Sequence, residues 1–137
     1  MTIPDFGTPD YGLTKTLTNT TVAAAKASVT AALANEGFGI LTEIDVQATF
    51  AAKLGKSVGA YTILGACSPS LADQALQAEA AIGLLMPCNV VIAEQSNGDL
   101  SVSFADPVAM FQPLNRPDMD TFAQSVREQL QRALERV

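Results

Sequence analysis

The chain has no histidine and no tryptophan among its 137 residues, and only two cysteines. Without imidazole there is no side chain that ordinarily titrates near neutral pH, no His base for a serine or cysteine nucleophile, and no common nitrogen ligand for a metal. Aromatic residues make up 6% of the sequence, too few to expect stacking platforms for bases or sugars. Charged residues make up 16%, which is low for the surface of a monomer and leans towards self-association. No apolar run approaches the roughly 20 residues that cross a bilayer. The N-terminal MTIPDFGTPD carries acid where a signal peptide carries base. A cytoplasmic protein with no membrane partner is expected.

The net charge is −6, and the eight Lys and Arg are scattered or gathered in the last helix. Binding to a phosphate backbone needs clustered cations, so nucleic acid is not expected as a partner. Two cysteines spaced far from CxxC do not make the disulfide framework of a small secreted scaffold, and a reducing compartment is the simpler setting. No Gly-rich phosphate loop and no serine nucleophile elbow is present. Gly37 and Gly55 each fall where a helix should stop, so they do not cradle phosphate. No cofactor is expected.

Residues 1–10 hold two prolines, a glycine and two aspartates and read as an irregular arm, leaving 11–137 as one domain. A strand is predicted over Gly12 to Leu17. Thr20 or Thr21 caps a helix with Val22, Ala25, Val29, Ala32 and Leu33 at helical spacing. Phe38 to Ile44 alternates with a period of two, and Asp45 caps a short helix ended by Gly55. Tyr61 to Ala66 is apolar on both faces, as in a central strand. Ser68 caps a helix with Pro69 at its first position and a buried stripe of Leu71, Ala72, Ala75 and Leu76. Glu79 falls on the side of that stripe, which implies a half-buried acid.

Leu84 to Glu94 is a second apolar strand, with Pro87 demoting its start to a bulge or edge position. Asn97-Gly98 predicts a two-residue type I′ hairpin into Leu100 to Phe104. That turn pairs Ala93 with Val102 and Val91 with Phe104, and puts Asn89 on the same buried face. Asp106 and Pro107 break the strand. Phe122, Val126, Leu130 and Leu134 then mark an amphipathic helix, with Arg127, Glu128, Arg132, Glu135 and Arg136 as its solvated side. The order β-α-β-α-β-α-β-β-α favours an α+β domain with a mixed sheet packed by helices.

The segments GFGILTEID, YTILGAC and IGLLMPCNVV, followed by the hairpin and Asp106-Pro107, resemble the domain of unknown function 302 family over roughly residues 10 to 111. The resemblance rests on the set, including Glu43, Cys67, Pro69, Glu79, Gly83, Pro87, Cys88 and Asn89. It implies a small layered domain of helices and sheet that dimerises, and it carries no agreed activity. The C-terminal helix, about 118–136, lies outside that shared core.

Cys67 ends a strand and precedes a helix start, where dipole and free N–H groups favour a thiolate. Cys88 sits among apolar residues as a small buried hydrophobe. A right-handed parallel crossover would hold the two at opposite strand ends, whereas an antiparallel pairing would bring them together. Cys67, Cys88, Glu43 and Glu79 have no close-spaced ligand pair among them, so no metal is expected, although thiolates favour copper(I). Glu43 and Glu79 are an acid–base pair only if they face one another. The resulting expectation is a homodimeric domain in which Glu43, Cys67, Glu79, Cys88 and Asn89 line a pocket for a small ligand, with binding favoured over catalysis. The alternatives are a thiol-dependent redox or sulfur-handling protein using Cys67 and Cys88, and a structural or interaction dimer module.

Overall fold

A computed structural model describes residues 3–137 of the chain. Five strands, β1 (Gly12–Leu17), β2 (Gly39–Asp45), β3 (Tyr61–Cys67), β4 (Cys88–Glu94) and β5 (Leu100–Ala105), form one sheet in the order β1-β5-β4-β3-β2. The helices are α1 (Val22–Ala34), α2 (Val46–Leu54), α3 (Pro69–Ala78), α4 (Pro107–Phe111) and α5 (Asp120–Arg136), with short 3-10 turns at Ala80–Leu85, Gln112–Leu114 and Pro117–Met119. The α+β class and the element order follow the sequence pattern. Every strand pairing is antiparallel, where a mixed sheet was expected. Strand β4, not β3, is central.

Local chemistry starts the helices, α1 and α2 where the sequence places them and α4 where only a strand break was expected. Thr21 Oγ1 accepts from Ala24 N at 3.1 Å, Asp45 Oδ1 from Ala48 N at 2.9 Å, and Asp106 Oδ1 from Val108 N at 2.9 Å, each satisfying a backbone donor that the helix cannot. Helix α1 then lays Ala25, Val29, Ala32 and Leu33 against one sheet face, and α5 adds Val126, Leu130, Ala133 and Leu134. Their partners on the sheet are Leu64, Val90, Ile92, Val102 and Phe104, all almost wholly buried. The opposite face carries Ile63 and Val91 beside Ser103, whose Oγ lies 2.8 Å from Thr14 Oγ1.

The β4–β5 register differs by one residue from the expected hairpin. Ile92 pairs with Val102 and Val90 with Phe104, whereas Ala93 pairs with Ser101. The cause is the turn. Gln95 N bonds Asp99 O, Gly98 N bonds Gln95 O, and only Gly98 has positive φ, at +91°, while a type I′ turn needs two such residues. Ser96, Asn97 and Gly98 therefore form a three-residue loop. One step of register exchanges the faces of β4, and Asn89 becomes exposed rather than buried.

Two further expectations fail in packing. Leu76 is 43% exposed, because α3 turns Ala75 to the interior instead. Strand β4 begins at Cys88, and Leu84, expected within it, lies in a 3-10 turn with 89% exposure. The N-terminal arm is irregular but anchored: Asp5 accepts from Ser96 N and Ser96 Oγ, each at 2.8 Å, and Phe6 N donates to Gln95 Oε1.

Candidate functional site

Antiparallel pairing of β3 and β4 decides where the two thiols go. Cys67 is the last residue of β3 and Cys88 the first of β4, and Ala66 lies opposite Cys88. Both cysteines thus occupy the same end of the sheet. Both are free and half-buried, and both line one cavity of about 40 Å³. This cavity lies at a seam. Phe38 and Val126 come from the core beneath the sheet, and Ala75, Phe111 and Phe122 from a smaller cluster under α3 and α4. The rings of Phe111 and Phe122 stack almost parallel, 6.3 Å apart, and form one wall.

The lining is apolar. Ser68 supplies a hydroxyl, and its Oγ accepts from Leu71 N to start α3. No carboxylate reaches the cavity. Burial, with the nearby Cys67 charge as a lesser cause, pushes the Cys88 thiol up to about 11. Cys88 therefore stays protonated at neutral pH. An adjoining hollow of about 120 Å³ shares Met86, Pro87 and Cys88 with the first and adds Met110 and Asn89.

The five residues singled out from the sequence do not meet in one place. Glu43 pairs in register with Leu64, three positions along from the Cys67 pairing, and binds Lys26 of α1 at 3.0 Å. Glu79 follows the last residue of α3 and lies 3.6 Å from Arg116, whose other guanidinium nitrogens hold Asp118. These carboxylates have separate cationic partners and do not form an acid–base pair. Asn89 sits at the rim of the second hollow, across from Gly65. A Cβ at Gly65 would strike Thr42 Oγ1 and come within 2.8 Å of the Pro87 ring. The glycine lets the Met86–Pro87 segment lie against β3.

Several residues that shape the site escaped the sequence reading. Met86 was legible in principle, two positions before Cys88 and so of the same strand parity. Phe111 and Phe122 come from separate helices and carry no short-range signal. Arg127 was assigned to the solvated side of the last helix, yet its Nε donates to Asp106 Oδ2 at 3.0 Å and ties α5 to the start of α4.

The profile of the Domain of unknown function DUF302 matches residues 13–137. The chain belongs to the DUF302 family. The match takes in α5, which the sequence resemblance had left outside the shared core and which closes the cavity through Phe122 and Val126. A crystal structure of an uncharacterized conserved DUF302 protein from Bacillus stearothermophilus is similar in fold, with a TM-score of 0.86. The two chains are 23% identical, and the alignment covers 93% of this chain and 98% of that one. No curated protein matches the sequence. Among the described residues no helix is long and apolar enough to cross a membrane.

Proposed function

We propose that this DUF302 domain binds a small ligand in the apolar cavity at the sheet end, with Cys67 and Cys88 as the polar contacts. One observation carries the reading: the only two thiols of the chain open onto the same cavity, in a region otherwise filled by apolar side chains. A volume of about 40 Å³ takes an ion or a few non-hydrogen atoms, since ligand sites for drug-sized molecules run to roughly 300 Å³ and more. The proposed site is thereby narrowed. Cys67 and Cys88 form it, Asn89 borders it, and Glu43 and Glu79 act elsewhere as surface ion-pair partners.

Native mass spectra of the untreated, non-reduced protein test this directly. A bound mass that is lost on Cys67→Ala and Cys88→Ala substitution is the expected result. A clean apo spectrum, unchanged after incubation with small thiophilic or apolar probes, would count against it.

A thiol-dependent redox role is the second reading, favoured by the antiparallel pairing that puts both cysteines at one sheet end. Quantitative alkylation after mild oxidation separates the two, since two free thiols at that stage rule out reversible pairing. A homodimer is favoured by β2, a sheet edge that exposes Leu41 at 66% and Ile44 at 50%. Sedimentation of the wild type against Leu41→Lys tests it, with a monomeric wild type removing the dimer. Two cysteines, too few for a disulfide framework, fit a cytoplasmic setting.

A further inference from the structure

The cavity differs from an organic ligand site in both size and chemistry. Three sulfur-bearing residues line it, Cys67 at the end of β3, Cys88 at the start of β4 and Met86 just before that strand. Neither carboxylate nor amide side chains join them, and the chain has no imidazole at all. Among the described residues no three of His, Cys, Asp and Glu converge as a metal set. A tetrahedral zinc centre needs four nitrogen, sulfur or carboxylate ligands, and calcium or magnesium needs a shell of oxygens, so neither fits. Two thiols with a thioether, in an apolar pocket of about 40 Å³, match a soft monovalent cation.

We propose that Cys67 and Cys88 bind one copper(I) ion as thiolates, with Met86 as a third, weaker sulfur ligand. This rests on the binding reading above and names its ligand class. Binding is a proton exchange without redox change: two S–H protons leave to solvent, two copper–sulfur bonds form, and the metal enters and stays as copper(I). The complex carries one net negative charge where the two thiols carry none, so the copper–sulfur bonds must outweigh the cost of holding that charge in an apolar cavity. Among the lining residues, the only titratable group facing Cys88 is Cys67.

The experiment uses reduced wild-type protein without oxygen, titrated with copper(I) supplied as its acetonitrile complex against the chromophoric competitor bicinchoninate. One equivalent per chain and a first shell of sulfur alone in X-ray absorption are expected, both read on the unsubstituted protein. Cys67→Ser or Cys88→Ser should weaken binding on the order of 100-fold, and Met86→Leu about 10-fold, reflecting thiolate against thioether ligation. A nitrogen or oxygen shell, or unchanged affinity in Cys67→Ser, overturns the proposal. If copper is not retained while native spectra of untreated protein carry an organic mass, the metal inference falls and the binding reading stands. If neither is bound, both fall.

Discussion

Arg127 on α5 and Asp106 at the start of α4 form a half-buried ion pair at 3.0 Å, and the second oxygen of the same carboxylate caps α4 through Val108 N. One side chain thus fixes two elements that wall the cavity. Asp106→Ala removes both bonds and should destabilise by roughly 2 kcal/mol, combining a lost helix cap with a lost charged hydrogen bond. Arg127→Met should cost no more than about 1 kcal/mol, since the guanidinium is partly in water. Urea unfolding of both variants and of the double variant checks the ranking. Equal losses for the two would show that the cap contributes nothing.

Gly65→Ala should destabilise by about 1–3 kcal/mol, because the added methyl has no room between Thr42 and Pro87. Thr42→Ala in the same chain should recover part of that loss, making the pair non-additive. Thermal unfolding of the four variants in the cycle gives the coupling. A Gly65→Ala protein as stable as wild type would mean that the cis Met86–Pro87 segment can shift freely.

The arm should detach in acid. Hydrogen bonds from the Ser96 hydroxyl and amide hold the Asp5 carboxyl below its ordinary value. A depressed folded pKa means that the docking contribution is complete above the unfolded carboxylate value and is lost as pH falls through the lower, folded one. The protection of the Ser96 amide against exchange, taken relative to the intrinsic rate at each pH, should fall in that window. Asp5→Asn should show the fast exchange already at neutral pH.

Iodoacetamide should label Cys67 well before Cys88 at neutral pH, because the Cys88 thiol titrates at about 11 and little thiolate is present. Its labelling rate should still be climbing far above neutral pH, where peptide mapping by mass spectrometry resolves the two sites. Equal rates at neutral pH would place Cys88 in a more open setting than its burial indicates.

Glu43→Gln should change stability by less than about 1 kcal/mol, as expected for an exposed pair with Lys26. Calorimetry measures that difference. A larger loss would assign Glu43 a role beyond the surface pair.

Local signals were legible because their causes are local. Thr21, Asp45 and Ser68 cap helices through donors three residues on, and Gly55 and Pro69 punctuate the same short windows. The Gly98 turn was misread for a comparable reason: Asn97-Gly98 suits a two-residue turn, and whether Ser96 joins the loop depends on strand twist beyond the dipeptide. That one-residue difference moved Asn89 to solvent. The meeting of Cys67 and Cys88 hinged on strand direction, which their spacing does not encode. Arg127 and Asp106, 21 positions apart, had no common window at all. Hence the fold class was readable, while of the five candidate residues only Cys67 and Cys88 line the same cavity.

Strand β1 pairs along its length with β5, residue 12 opposite 105 and residue 17 opposite 100. Lys15 of β1 also donates to the carbonyls of Leu134 and Val137 at the end of α5. On the ribosome the first strand of this sheet to emerge is therefore among the last to find its place, since its neighbour is the last of the sheet's five strands to be made and its clasp lies later still. The β2–β3–β4 antiparallel ladder has nearer partners and can form before it. Translation order and assembly order run opposite at this edge, and a stalled nascent chain exposes β1 to whatever factor guards unpaired strands.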